Sequence, residues 1–240
     1  GTHATEINYD GGSYVSWNWK ESATAGFDIV AYTGNGTDDT DISHSLSAVP
    51  HVILVKNRDA DDPWRMQHKA LGETYGLILN DTSAKDDDDT AWSDEAPTSS
   101  VFTLGTSANT NNNTEDFIAY CFSEKQGFSK FGSYKGNVDN DGPFIYTGFK
   151  PAFVMIKITT AVNDWNVWDN KRDPINLAHI RFRTNTSEAE NPNSDGFDIL
   201  SNGFKIRNTY SEWNASGTFI YAAFAEAPFV NSNGVPCNAR

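Results

Sequence analysis

Short apolar runs separated by polar turn residues occur along the whole chain. Phe27, Ile29 and Ala31 alternate with other side chains, whereas residues 52–55 and 153–156 form continuous apolar runs. Clusters rich in Gly, Asn and Asp, such as TGNGTDDTD and TSANTNNNTED, lie between such runs. Runs of this length with turn residues between them are typical of antiparallel strands, and no segment has the 3.6-residue period of a long helix. The pattern therefore predicts an all-β fold.

The same runs predict which side chains form the core. Residues 87–95 and 173–178 are expected to form single helical turns at most. The side chains that we expect to be largely buried are Val52, Leu54, Phe102, Phe122, Val154, Ile156, Phe204 and Phe224.

The apolar segments recur in the same order about one hundred residues later. The recurring pairs are GFDIVAYTGNG (26–36) with GFSKFGSYKGN (127–137), PHVILVK (50–56) with PAFVMIK (151–157), and FIAYCFSE (117–124) with FIYAAFAE (219–226). Repetition at a fixed period is the signature of repeated structural units. Each unit of about one hundred residues is large enough for a core of its own. We therefore predict two tandem copies of an antiparallel β-sandwich or jelly-roll-like unit.

The repetition also sets the predicted domain boundaries. The first repeat spans residues 26–126, the second spans residues 127–229, and a tail covers residues 230–240. Residues 1–25 are interpreted as the last strand and linker of a preceding partial repeat, because GGSYVSWNWKE (11–21) resembles the final strand of each unit. An unpaired aromatic strand is prone to associate with other chains. This segment is therefore expected to pair with either repeat or with a neighbouring subunit.

Charge is distributed unevenly over a chain of net charge −14. The first repeat carries 18 acidic and 6 basic side chains, whereas residues 127–229 carry 11 and 10. Such a balance argues against nucleic-acid binding, which needs basic surfaces. The acidic charge of the first repeat is interpreted as a surface that keeps the protein soluble, and a binding role of the acidic residues is the alternative. Nothing approaches the roughly 20 apolar residues of a membrane-spanning helix, so no membrane insertion is expected.

Motifs with a known chemistry are not found in the sequence. The five histidines do not have metal-ligand spacing, and Cys121 and Cys237 do not make a disulfide scaffold. Residues 137–142 imitate the opening of a calcium loop, but Gly148 stands where the bidentate Glu is needed, so a hairpin turn is favoured. We predict no catalytic residue, no metal site and no cofactor. The duplicated Trp64 and Trp165 are interpreted as core residues, with sugar stacking as the alternative.

The loops are where the two repeats differ most. Binding residues concentrate on loops that a rigid scaffold displays. The first repeat has two long acidic loops, residues 37–43 and 85–95, which in the second repeat are replaced by shorter, less acidic segments. We therefore predict a receptor-contact surface on these loops. Its candidate residues are Asp38, Asp39, Asp41, Asp86, Asp87, Asp88, Asp89 and Trp92.

Several long phrases resemble a repeat domain of structural proteins in marine tailed bacteriophages. They include FDIVAYTGNG, YCFSEKQGFSKFGSYKGN, DGPFIYTGFKPAFVMIK, NASGTFIYAAFAEAPF and the ending GVPCNAR. The resemblance extends from about residue 11 to residue 240, and it implies a tail-fibre-like structural protein on the virion. It assigns no catalytic residues. The acidic run at residues 86–89 departs from the neutral Ser/Thr-rich loop expected there.

The resemblance implies a tail-fibre or spike component that mediates attachment to the host surface. By analogy with the threefold assembly of phage fibres, we expect a homotrimer that contacts other virion proteins and a glycan or protein of the host. A capsid decoration protein is the alternative. A polysaccharide depolymerase carried on the virion is a third possibility, because carboxylates are numerous enough to supply a catalytic pair.

Overall fold

Antiparallel strands make up most of the regular structure in a computed structural model that describes residues 10–192 and 196–227. Strands account for 37% and helices for 6% of the residues, so the prediction of an all-β fold is confirmed. Residues 1–9, Cys237 and the predicted tail at residues 230–240 lie outside the described residues. Residues 26–126 are called the first half below, and residues 127–227 the second half.

The first half forms a six-stranded sheet and a two-stranded sheet. Its elements are β1 (Phe27–Thr33), β2 (Thr40–Ser43), β3 (Val52–Asn57), β4 (Arg65–His68), β5 (Tyr75–Ile78), β6 (Asp86–Asp87), α1 (Asp89–Trp92), β7 (Val101–Leu104), α2 (Ala108–Asn111) and β8 (Asp116–Phe122). The first large sheet has the strand order β1-β8-β3-β4-β5-β6, and β2 pairs with β7 in the small sheet.

The second half forms a five-stranded sheet and a three-stranded sheet. Its elements are β9 (Ser129–Lys135), β10 (Phe144–Tyr146), β11 (Phe153–Ile158), β12 (Asn166–Asp169), β13 (Phe182–Arg183), β14 (Phe197–Leu200), β15 (Gly203–Ile206), α3 (Ser211–Asn214) and β16 (Thr218–Phe224). The second large sheet has the order β13-β12-β11-β16-β9, and the three-stranded sheet has the order β10-β15-β14.

The central strands β3 and β11 of the two large sheets are covered on both faces. In β3, Ile53 and Val55 pack into a core with the two-stranded sheet, whereas Val52 and Leu54 point to the second half. A strand that is covered on both faces needs no polar alternation. This explains the continuous apolar runs at residues 52–55 and 153–156.

Three cores hold the four sheets together in a sandwich-like stack. One lies between the sheets of the first half and includes Trp92 and Phe102. A second lies between the sheets of the second half and includes Trp168 and Phe204. The third joins the facing large sheets, and Phe224 lies within it. The halves are therefore attached by an apolar interface and not by a linker alone.

Six of the eight predicted core residues are buried: Val52, Phe102, Val154, Ile156, Phe204 and Phe224. Leu54 and Phe122 are only half-buried, and both pack against the core between the large sheets. Their strand faces were predicted correctly, but these two positions lie nearer the edge of that interface.

The segment before β1 is not a strand. Residues 12–21 have no strand assignment, and only an isolated bridge joins Ser22 to Phe27. Trp17 stacks on Phe182 with ring centroids 5.2 Å apart, and Trp19 contacts Phe224 at 5.2 Å. The predicted final strand of a partial repeat is therefore wrong for residues 14–19. Trp17 and Trp19 instead pack against the second large sheet and the interface between the halves.

One local prediction in the second half also needs correction. The loop at residues 137–142 is not a hairpin turn, because β9 pairs with β16 whereas β10 pairs with β15. It connects two different sheets. Residues 173–178, for which a single helical turn at most is expected, contain none; the Asp173 carboxylate accepts hydrogen bonds from the backbone N–H groups of His179 and Ile180. The helical turn predicted in residues 87–95 is present as α1.

Buried asparagines close one end of each half. Asn111, at the end of α2, has no exposed surface. Its Oδ1 accepts a hydrogen bond from the Asn35 N–H at 2.9 Å, and its Nδ2 donates to the carbonyls of Thr37 and Gly105 at 2.8 Å each. The loop after β1 is thereby fixed to the helix. A Cβ atom at Gly34 would overlap the Asn112 carbonyl, so only glycine fits at this approach.

Asn214, at the end of α3, is buried in the same way. Its Oδ1 accepts from the Asn137 N–H at 2.8 Å, and its Nδ2 donates to the carbonyls of Asp139 and Asn208 at 2.8 and 2.7 Å. The loop that resembled a calcium motif is thus held by an amide side chain.

Candidate functional site

The two acidic loops predicted as a contact surface meet in the folded chain. The Ser93 hydroxyl donates a hydrogen bond of 3.0 Å to the Asp38 carboxylate across 55 residues of sequence. A recess of about 250 Å³ opens between the loops. Its lining residues are Asp38, Asp89, Thr90, Ser93, Asp94 and Thr106. The two loops, which are separate in sequence, therefore form one continuous surface.

A short helix anchored in the core positions the second loop. Ala91 and Trp92 of α1 are buried, and a Cβ at Gly105 would overlap the Thr90 carbonyl, so β7 passes directly against the helix. Ser93 and Asp94 then adopt left-handed backbone conformations, with φ of 51° and 52°. The chain reverses at once, which leaves Asp89 and Asp94 exposed on the outer side.

Arg65 neutralises part of the acidic loop. Its side chain is buried beneath the loop and forms an ion pair with Asp88 and a longer one, at 3.6 Å, with Asp86. Burial lowers the pKa of the Arg65 guanidinium, and the charge of Asp86 opposes this effect. A buried, ionised guanidinium must be paired with carboxylates. Asp86 and Asp88 therefore stabilise the fold, and this role takes precedence over any contact with a receptor.

The prediction for Trp92 is wrong. Its side chain is 1% exposed and belongs to the core of the first half, so it cannot contact a receptor. Asp41 is exposed, but its carboxylate accepts a hydrogen bond from Thr103 at 2.9 Å. The remaining candidates, Asp38, Asp39, Asp87 and Asp89, are exposed on the two loops.

The duplicated tryptophans do not form matching surface sites. Trp165 is 1% exposed, and its indole N–H donates to the Ile78 carbonyl of the first half at 2.9 Å. Trp64 is exposed in part and stacks on Tyr120 with centroids 6.0 Å apart. For Trp165 the core interpretation is therefore correct, and its polar atom joins the two halves.

A second recess, of about 450 Å³, lies at the junction of the halves and was not predicted from the sequence. We call it the junction pocket. It lies where β8 leads into β9 and where the chain leaves β10. Its lining residues are His51, Glu124, Gln126, Gly127, Ser129, Lys130, Tyr146, Thr147 and Gly148.

Glu124 is the centre of the polar contacts in this pocket. Its carboxylate accepts hydrogen bonds from Lys69 Nζ at 2.6 Å and from the Phe131 N–H at 2.8 Å, and Lys130 Nζ lies 3.7 Å away. Burial alone would raise the pKa of Glu124. The hydrogen bonds and the two ammonium groups outweigh this effect and hold its pKa below the ordinary value. The carboxylate is therefore ionised and held in one orientation.

His51 has a defined tautomer in the junction pocket. Its Nδ1 accepts a hydrogen bond from the Glu124 N–H at 3.0 Å, so in the neutral ring Nε2 carries the proton. Burial, and then the charge of Lys69, lowers the pKa of His51. Near neutral pH the ring therefore presents an N–H donor at Nε2.

The sequence contained one signal for this pocket. Phe144 and Tyr146 alternate with Ile145 in a short strand, and such a pattern places the two aromatic rings on the opposite face from the buried isoleucine. Both rings are exposed, at 46% and 58%. The proximity of His51 to Tyr146 could not be read from the sequence, because it depends on how the halves pack.

No metal or membrane-spanning feature is found in the part of the chain that the structure describes. Among those residues, no group of three or more His, Cys, Asp or Glu side chains could hold a metal ion. The described helices are all too short to cross a membrane.

The fold places the chain among all-β proteins built from stacked antiparallel sheets. The chain belongs to the family described as a domain of unknown function (DUF7483), which matches residues 1–228. No curated protein and no solved structure matched the chain.

Proposed function

We propose that the two halves are tandem copies of one β-sandwich unit. The order β1-β8-β3-β4-β5 in the first large sheet corresponds strand by strand to β9-β16-β11-β12-β13 in the second. In the small sheets, Ile42 pairs with Phe102 and Ile145 pairs with Phe204. The shared order of five strands and the equivalent pairing of core residues support a common unit, although β6 in the first half and β14 in the second have no counterpart.

Specific buried contacts also recur in both halves. The Tyr32 hydroxyl donates to the Thr110 carbonyl at 2.7 Å, and the Tyr134 hydroxyl donates to the Trp213 carbonyl at 2.7 Å. The buried amides described above bind the loops after β1 and β9 with the same atoms. Polar contacts of this kind are directional, so their recurrence supports a duplicated frame more strongly than apolar similarity would.

We further propose that the protein mediates attachment to a host surface, as a tail-fibre or spike-type component of a bacteriophage virion. The observation that carries the proposal is the contrast between frame and loops. The buried contacts recur, whereas the loops differ: in the first half two acidic loops meet at Asp38 and Ser93, and the corresponding sequence segments of the second half are shorter and less acidic. A rigid scaffold with divergent displayed loops is typical of binding proteins.

Neutralising the acidic loops is expected to weaken attachment without unfolding the chain. The test variant combines Asp38→Asn, Asp39→Asn, Asp87→Asn and Asp89→Asn. The purified chain should block adsorption of the phage to its host, and the variant should need a concentration about tenfold higher or more, since charge contacts at an interface govern binding in this range. Adsorption is measured as the fraction of phage left unbound.

A control variant removes the same number of exposed acidic charges elsewhere. It combines Asp10→Asn, Glu21→Gln, Asp61→Asn and Glu73→Gln. Both variants should melt within a few degrees of the unchanged chain, because surface substitutions usually change stability little. Equal blocking by the two variants would place the contact surface outside the acidic loops. A chain that neither binds host cells nor blocks adsorption would favour a capsid decoration role.

Two further parts of the proposal concern partners and catalysis. We expect self-association, as a homotrimer, and contact with other virion proteins. The unpaired strand that motivated self-association is absent, so that expectation now rests on analogy with phage fibres alone, and light scattering of the purified chain measures it. Release of sugars from the host polysaccharide by the chain would instead favour the depolymerase alternative.

A further inference from the structure

Two exposed aromatic rings on β10, of which Tyr146 lines the junction pocket, are not required by the fold. Phe144 and Tyr146 flank Ile145, whose side chain is 5% exposed and faces the core. In the first half, β2 likewise carries a buried isoleucine, but Asp41 and Ser43 flank it. The corresponding strand of the first half therefore forms without aromatic residues at these two positions. Exposed aromatic rings that the frame does not need are a mark of a binding surface.

Cationic and N–H donors line the same pocket. Lys130 Nζ is directed to Glu124 at 3.7 Å, and its side chain remains 42% exposed. Lys69 lies next to the lining residues, where it also pairs with Glu124, at 2.6 Å, and it is 34% exposed. Two ammonium groups thus face one carboxylate, which leaves an excess of positive charge in a chain of net charge −14. The Nε2–H of His51 and the exposed amide of Gln126 add uncharged donors.

We propose that the junction pocket binds an acidic sugar, a hexuronate unit of a bacterial surface polysaccharide. The Tyr146 ring would pack against the C–H face of the pyranose. Lys130 and the His51 Nε2–H would donate to its carboxylate, because charge-assisted hydrogen bonds to carboxylates are the strong ones. The recess of about 450 Å³ is within the size range of small-ligand sites.

The aromatic ring and the positive charge each argue against a simpler ligand. A neutral sugar would use the aromatic ring but leave the two ammonium groups to share the single carboxylate of Glu124. A simple carboxylate would use the lysine but leave the tyrosine exposed. The fixed Glu124 carboxylate also holds Lys130 near one position, which lowers the entropy lost when the ammonium binds a ligand.

The test is a titration of the purified chain followed by ¹H–¹⁵N NMR. The probes are sodium D-glucuronate, D-glucose as the matched neutral sugar, and sodium acetate as a carboxylate without a ring. Glucuronate is expected to bind and to shift the backbone signals of the pocket residues. Glucose and acetate should bind at least about tenfold more weakly, since a charged hydrogen bond contributes about this factor.

Two variants and two matched controls assign the binding to the pocket. Tyr146→Ala and Lys130→Gln should each weaken glucuronate binding about tenfold. Lys135→Gln alters an exposed lysine on the same strand, and Tyr210→Ala alters another exposed tyrosine, so neither should change the affinity. The proposal is overturned if glucuronate does not bind, if acetate or glucose binds equally well, or if the pocket variants bind as the controls do.

This inference rests on the attachment function only for its biological setting. If the chain binds glucuronate but does not attach to host cells, the proposed binding site stands and the proposed attachment role is wrong. If both pocket variants still attach to host cells and glucuronate does not inhibit attachment, the attachment role stands and the pocket has no part in it. In that case the acidic loops would remain the candidate contact surface.

Discussion

Alanine in place of Asn111 or Asn214 is expected to lower the free energy of unfolding by about 3–5 kcal/mol, and by a similar amount in both variants. Each amide is fully buried and makes three hydrogen bonds to backbone groups. Its removal leaves one N–H and two carbonyl groups without that partner. Each unpaired buried group costs about 1–3 kcal/mol.

Urea denaturation of the two variants measures this effect. Asn113→Ala, at an exposed position close to Asn111, is the control and should change the stability by less than about 0.5 kcal/mol. A large loss in one variant and a negligible loss in the other would show that the two networks are not equivalent. That result would weaken the proposal of a duplicated unit.

Mild acid is expected to destabilise the chain through His68. This side chain is fully buried, its Nδ1 accepts from the Ala70 N–H at 3.1 Å, and its Nε2 donates to the Tyr221 carbonyl of the second half at 3.3 Å. The bond at Nδ1 requires the neutral ring, because a protonated Nδ1 cannot accept, whereas Nε2 donates in either protonation state. Burial lowers the pKa of His68 to about 4, although the hydrogen bond to Tyr221 opposes the shift.

The sign of the effect follows from the two pKa values. The unfolded chain binds a proton at His68 near pH 6.5, whereas the folded chain binds it only near pH 4. The stabilising contribution is therefore complete above pH 6.5 and is lost as the pH falls to about 4. The full loss is about 3 kcal/mol, since one pKa unit corresponds to about 1.4 kcal/mol.

The variant His68→Gln cannot titrate and should have a flatter dependence of stability on pH between about 6.5 and 4. His51 and Glu124, which also lie nearby, are unchanged in both proteins, so the difference in slope reports on His68. Equal slopes for the two proteins would show that the residue is accessible to protons in the fold. The comparison uses slopes because glutamine also changes the packing at neutral pH.

The all-β class and most of the core could be predicted from local patterns. The apolar run at residues 52–55 is visible in the sequence because a strand covered on both faces needs apolar residues throughout. The acidic loops could be found because turn residues and charges cluster there. These patterns depend only on the local environment of each segment, which is why the sequence predicts them.

Features that depend on distant contacts could not be predicted. Trp92 was assigned to a loop surface, but the short helix α1 turns its ring into the core. Asp86 and Asp88 were grouped with the exposed aspartates because nothing in the sequence places Arg65 beneath them. The segment around Trp17 and Trp19 has the composition of a strand, yet its aromatic rings are satisfied by packing against the second half.

The junction pocket illustrates the same limit. His51 lies just before β3, Glu124 follows β8, and Tyr146 ends β10. Their residue types are ordinary in isolation. They become a candidate site only because the two large sheets pack face to face, and the sequence pattern predicts the strands but not their packing.

Antibody labelling of intact virions tests the attachment role most directly. Antibodies are raised against the purified chain, and gold-labelled complexes are located by electron microscopy. The proposal predicts label on the tail fibres or spikes, away from the capsid, and inhibition of adsorption by the same antibodies. Label distributed over the capsid, or virions without label, would contradict it.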